Sequence, residues 1–139
     1  MAKKKKRKKA SFPLGKMLGA HSVQTVQQLL LYIPDKDKNG KPIKAKSAWL
    51  KEAQSMMSKI GGGCTTYPSA VGAWLNPDTQ KLIIEGTTLV YTYVLPQNFN
   101  QHKAALKAFV HAFGYETNQG EVIVFFAGDL YRITKFDPA

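Results

Sequence analysis

The chain has 139 residues, 44% of them hydrophobic and 11% aromatic, with 20 Lys or Arg against 9 Asp or Glu and a net charge of +11. That length makes one domain around one core, leaves no material for a second, and contains no apolar run of about 18 residues that could span a membrane. The single Cys64 excludes an internal disulfide and a cysteine-based zinc site, and it fits a reducing, cytoplasmic setting.

Seven of the twenty basic residues are consecutive: Lys3, Lys4, Lys5, Lys6, Arg7, Lys8 and Lys9. Without them, 13 Lys or Arg face 9 Asp or Glu. Such a run gains affinity for a polyanion by releasing counterions from phosphates, whatever the sequence read, so the expected partner is RNA or DNA. It is not a secretory leader, because the SFPLGKMLGAHSV that follows lacks a continuous apolar segment. Residues 1–22, rich in Lys and then punctuated by Gly, Ser and Pro, are expected as a flexible basic arm, and residues 23–139 as the folded domain.

Gln24 to Ile33 (QTVQQLLLYI) reads as a first strand whose apolar run suits the middle of a sheet. Asp35 to Lys46 is a polar loop with five lysines, Lys36, Lys38, Lys41, Lys44 and Lys46. It is solvated or faces phosphate, and its oxygen spacing rules out a calcium loop. Ser47 is a candidate N-cap for a helix through Ile60, with Trp49, Ala53, Met56, Met57 and Ile60 on one stripe. Gly61, Gly62 and Gly63 stop that helix. They follow a helix C-terminus, where carbonyls point outward, and so cannot cradle phosphate.

Thr65 to Trp74 and Leu82 to Leu95 form a hairpin around the turn residues Asn76-Pro77-Asp78. Pro68 and Gly72 mark the first arm as an edge strand with a bulge, and the β-branched and aromatic second arm is central. A second helix follows, capped by Asn98 or Asn100, with Leu106, Phe109, Val110 and Phe113 buried and Gly114 at its end. Glu121 to Phe126 is a strand, and Asp129 to Ile133 either continues it or forms a short extra one.

The order β-α-β-β-α-β predicts an α+β, ferredoxin-like fold: a four-stranded antiparallel sheet with both helices on one face and a flexible basic N-terminal arm. LLLYIP, the early-helix Trp49, GGGCTTYPSAVGAW, Glu85 before an aliphatic strand, and AFVHAFGYE also resemble the small bacterial domain of unknown function 3574, over Leu29 to Ile133. The resemblance implies the same fold and carries no mechanism.

Strand alternation puts Glu85, Thr87, Leu89, Tyr91 and Tyr93 on one face of the central strand and Val90 and Val94 on the core face. Tyr91 and Tyr93 on an open face would stack bases or seal a dimer through the sheet. Glu85 is an acid among apolar residues. It anchors a hydrogen-bond network under the hairpin or, in the catalytic alternative, is a general base or metal ligand helped by Asp78, Asp129 or His21. Asp35 follows the first strand, as the catalytic Asp does in small ferredoxin-like, metal-dependent nucleases.

No cofactor or resident metal is expected. The leading expectation is a non-enzymatic, nucleic-acid-associated accessory protein of a bacterial, phage or mobile-element ribonucleoprotein or defence-related complex. It binds through the basic arm, the lysine loop, Tyr91 and Tyr93. The alternatives are a protein-interaction module or inhibitor that dimerises through its sheet, and a small metal-dependent nuclease.

Overall fold

The computed structural model describes residues 13–138. A short helix, α1 (Leu14–Leu18), precedes strand β1 (Gln27–Pro34), helix α2 (Lys46–Gly61) and strands β2 (Thr65–Leu75) and β3 (Leu82–Val94). A helical turn, α3 (Pro96–Phe99), leads into helix α4 (Lys103–Glu116) and strands β4 (Val122–Phe126) and β5 (Asp129–Ile133). The sheet is wholly antiparallel in the order β2-β3-β1-β4-β5, so β1 lies at its middle.

The sheet therefore has five strands rather than the four expected. Ala127 and Gly128 both take positive φ, 53° and 91°, and reverse the chain in a two-residue turn that pairs Phe126 with Asp129. Asp129–Ile133 cannot continue β4, because the turn folds it back alongside. The helix Leu14–Leu18 lies within the stretch expected as a flexible arm, and the Lys3 to Lys9 run lies outside the described residues.

One face of the sheet carries the core. Leu29, Leu31 and Ile33 of β1, Val90 and Val94 of β3, and Val122 and Val124 of β4 meet Ala53, Met56, Met57 and Ile60 of α2 and Phe109, Val110 and Phe113 of α4. Trp49 bridges the helices, packing edge-on against Phe109 and Phe113 at 6.0 and 5.5 Å. Thr88 and Thr92 are buried on the same face, and their hydroxyls donate to the Pro68 and Gly63 carbonyls at 3.3 and 2.5 Å. Among the described residues no buried side-chain nitrogen or oxygen lacks a partner.

Several boundaries differ from the expected ones for local reasons. Helix α2 starts one residue before Ser47, which does not cap it: Ala45, in a left-handed conformation, accepts the Ala48 and Trp49 N–H groups on its carbonyl. Its end does need glycine, since Gly62 closes the helix at φ 83°. The β2 bulge falls between Tyr67 and Ala70, around Pro68, whereas Gly72 keeps regular register opposite Glu85. Neither Asn98 nor Asn100 caps α4, which begins after His102. Gly114 does not end that helix either; it is buried inside it, and Phe136 lies where a side chain would stand.

Candidate functional site on the open sheet face

The face of the sheet away from α2 and α4 is covered by neither helix. Alternation along β1, β3 and β4 puts Leu30, Tyr32, Leu89, Tyr91, Ile123 and Phe125 on it, all half-buried, between the fully buried core positions. Tyr67 lies opposite Leu89 in register, on the same side. Its ring stacks on Tyr91 at 5.7 Å with an interplanar angle of 20°, and Tyr93 meets Tyr91 edge-on at 5.8 Å. Tyr67 and Tyr93 remain 53% and 52% exposed, leaving ring surface for a ligand. Hydrogen bonding with Tyr91, and then the charge Tyr91 carries when ionised, raises the Tyr67 phenol above its ordinary pKa.

Two glutamates mark one end of this floor. Glu85 is half-buried opposite Gly72, two residues before Thr87, which pairs with Pro34. Extending the β1–β4 register from Leu31 and Val124 brings Glu121 opposite Pro34, on the same face as Ile123 and Phe125. With strands about 4.8 Å apart, Thr87 and Glu121 lie roughly 10 Å from each other across β1. Arg132 of β5 donates twice to Glu121, Nε to Oε1 at 2.6 Å and Nη2 to Oε2 at 3.3 Å, which raises the Arg132 pKa further. Among the described residues Glu85 has no ion-pair partner.

Asp35 does not join the two glutamates. It follows Pro34 on the helix side of the sheet, lies over Gly86, and is ion-paired with Lys46 at the start of α2. Lys46 is thereby drawn out of the lysine loop, whereas Lys36, Lys38, Lys41 and Lys44 are exposed. The loop is braced by Asp37, whose Oδ1 accepts the Asn39 and Lys41 N–H groups at 2.8 and 3.0 Å. The Lys41 bond foremost holds the Asp37 carboxyl below its ordinary value. Asp78 sits exposed in the β2–β3 turn, Asp129 is exposed at the start of β5, and His21 is exposed before β1. Among the described residues no group of three His, Cys, Asp or Glu side chains converges for a metal, and no helix is long and apolar enough to cross a membrane.

Sequence reading placed Tyr91, Tyr93 and Glu85 on one face but missed Tyr67, Glu121 and Arg132. The register around the Pro68 bulge decides where Tyr67 lands, and the β4–β5 turn brings Arg132 to Glu121. The Ala-Gly pair at that turn was the available signal for the second.

No family model matches the chain, and no curated protein does. Solved structures that share its fold include two of phage SAM lyases. One is a phage SAM lyase in complex with S-methyl-5'-thioadenosine, at a TM-score of 0.57 and 12% identity over 83% of this chain and 95% of that one. The other is a phage SAM lyase in its apo state, at a TM-score of 0.52 and 18% identity over 78% of this chain and 89% of that one.

Proposed function

We propose that this chain is a small lyase acting on S-adenosylmethionine, with its ligand on the open sheet face. The observation that carries the reading is that face: packed tyrosines towards one end and an unpaired, half-buried Glu85 towards the other, on a fold of nearly the same extent as the phage SAM lyases. S-adenosylmethionine joins a purine, which stacks on aromatic rings, to a sulfonium cation, which aromatic faces and carboxylates attract. Conversion to S-methyl-5'-thioadenosine breaks the bond between sulfur and the four-carbon amino-acid fragment, whose own carboxylate attacks the carbon that sulfur leaves and closes a lactone. Sulfur keeps the electron pair and becomes a neutral thioether, so a partly apolar floor favours the loss of charge. Glu85 holds the cationic end of the ligand, and the Glu121–Arg132 pair fixes the opposite border.

The supporting fold is best described as ferredoxin-like, β2-β3-β1-β4 with two helices on one face and β5 added at the edge. The test is incubation of the full chain with S-adenosylmethionine, following S-methyl-5'-thioadenosine by chromatography. Glu85→Gln should weaken substrate binding by about tenfold or more, read as a raised KM, with the fold retained. Absence of the thioether product with the native chain overturns the reading.

A second reading, binding of RNA or DNA as an accessory protein, rests on Lys36, Lys38, Lys41 and Lys44, which stand exposed on one loop, and on the seven-residue basic run. Deleting residues 1–10 should then weaken binding and flatten its salt dependence by up to about six in log–log slope. An unchanged slope removes the arm from that account.

A further inference from the structure

The fifth strand carries the sheet past the cover of α4 and opens a slot on the helix side, separate from the open face. Its volume is about 340 Å³, within the range of small-molecule sites. The floor and walls are Phe99, Val124, Phe126 and Ile133, with Leu106 and Val110 from α4. Phe99 and Phe126 stack at 4.4 Å and form one end. Tyr131, 48% exposed, stands at the other side.

The mouth is polar in one sense only. Lys103, Lys107 and His111 recur every four residues along α4 and therefore form a single ridge above the slot. No carboxylate lines the slot, and among the described residues neither lysine forms an ion pair. His111 accepts the Asp137 N–H on Nδ1 at 2.8 Å, so in the neutral ring the proton sits on Nε2, which is a donor. Asp137, the carboxylate nearest His111, lies 3.7 Å from Nδ1, on the other nitrogen's side of the ring. Two lysines at this spacing repel each other within the helix, and no ion pair among the described residues relieves them.

We propose that this slot binds a small amphiphilic carboxylate, its apolar body on Phe99, Phe126 and Ile133 and its anionic head on the ridge of Lys103, Lys107 and His111. Charge complementarity selects the head, and the carboxylate-free apolar walls select the body. Neutral apolar molecules fill the same volume without meeting the donors, so the charge should dominate selectivity.

The test uses the full chain with octanoate and octanol as probes, read by methyl NMR shifts of Val110, Val124 and Ile133. Octanoate should give saturable shifts at these methyls and bind at least tenfold more tightly than octanol. Lys103→Gln with Lys107→Gln should remove that preference, each single variant should remove part of it, and Lys81→Gln in the distant hairpin turn should leave it intact. The proposal falls if octanoate leaves these methyls unshifted, if octanol binds as tightly, or if Lys81→Gln reduces affinity as much as the ridge variants do.

Discussion

A methyl group added at Gly61 would collide with the Thr92 hydroxyl and stand 2.7 Å from the Tyr93 carbonyl oxygen. Thr92 cannot simply turn away, because its hydroxyl donates to the Gly63 carbonyl from a buried position. Gly61→Ala is therefore expected to destabilise the protein by roughly 1–3 kcal/mol. A thermal midpoint within error of the native one would mean that the end of α2 moves freely against β3. On the open face, Tyr67 tests the aromatic cluster. Its phenol is held protonated above the ordinary value of 10.0, so the stability this adds is complete below pH 10 and is lost as pH rises through the raised value. Tyr91→Phe removes the hydrogen bond and the neighbouring charge. Ultraviolet titration should then show Tyr67 ionising closer to its ordinary value; an unmoved transition would break the link between the two rings.

Elements differ in how firmly they are held. Helix α2 presents Ala53, Met56, Met57 and Ile60 to the sheet, and Met57 is fully buried. Met57→Ala should cost about 2–5 kcal/mol in denaturant unfolding, the spread reflecting how far the flexible neighbours collapse into the cavity. The loop before α2 depends instead on Asp37 gathering the Asn39 and Lys41 amides. Since the Asp37 pKa lies below 3.8 in the fold, its contribution is present above that pH and lost as pH falls through the depressed value. The protection of the Asn39 and Lys41 amides, relative to their intrinsic exchange rates, should therefore fall on acidification, and at neutral pH in Asp37→Ala. Protection unchanged by that substitution would mean that the loop is held elsewhere.

At the scale of the whole molecule, both sides of the sheet carry apolar residues but only one is sheltered by helices. A ligand that binds the folded face and not the unfolded chain raises stability by mass action, by about 2.7 kcal/mol at a hundred times its dissociation constant. S-methyl-5'-thioadenosine should accordingly raise the thermal midpoint of the native chain and raise it less in Tyr91→Ala, as measured by calorimetry. A midpoint indifferent to the nucleoside in the native chain would argue against the open face as its site.

Periodicity and turn chemistry determined most of the architecture. The stripe from Trp49 to Ile60 implied α2, Asn76-Pro77-Asp78 implied the β2–β3 hairpin, and period-two alternation along β3 separated Val90 and Val94 from Tyr91 and Tyr93. These signals are local: each residue's side of its element follows from its neighbours in sequence. The tertiary structure alone decided what depends on register between distant strands. Pairing across the Pro68 bulge brought Tyr67 onto Tyr91, the two-residue turn at Ala127-Gly128 brought Arg132 to Glu121, and Lys46 was consumed by Asp35 instead of facing solvent. No spacing along the chain encodes those meetings, because a one-residue slip in pairing would send every side chain of a strand to the other face.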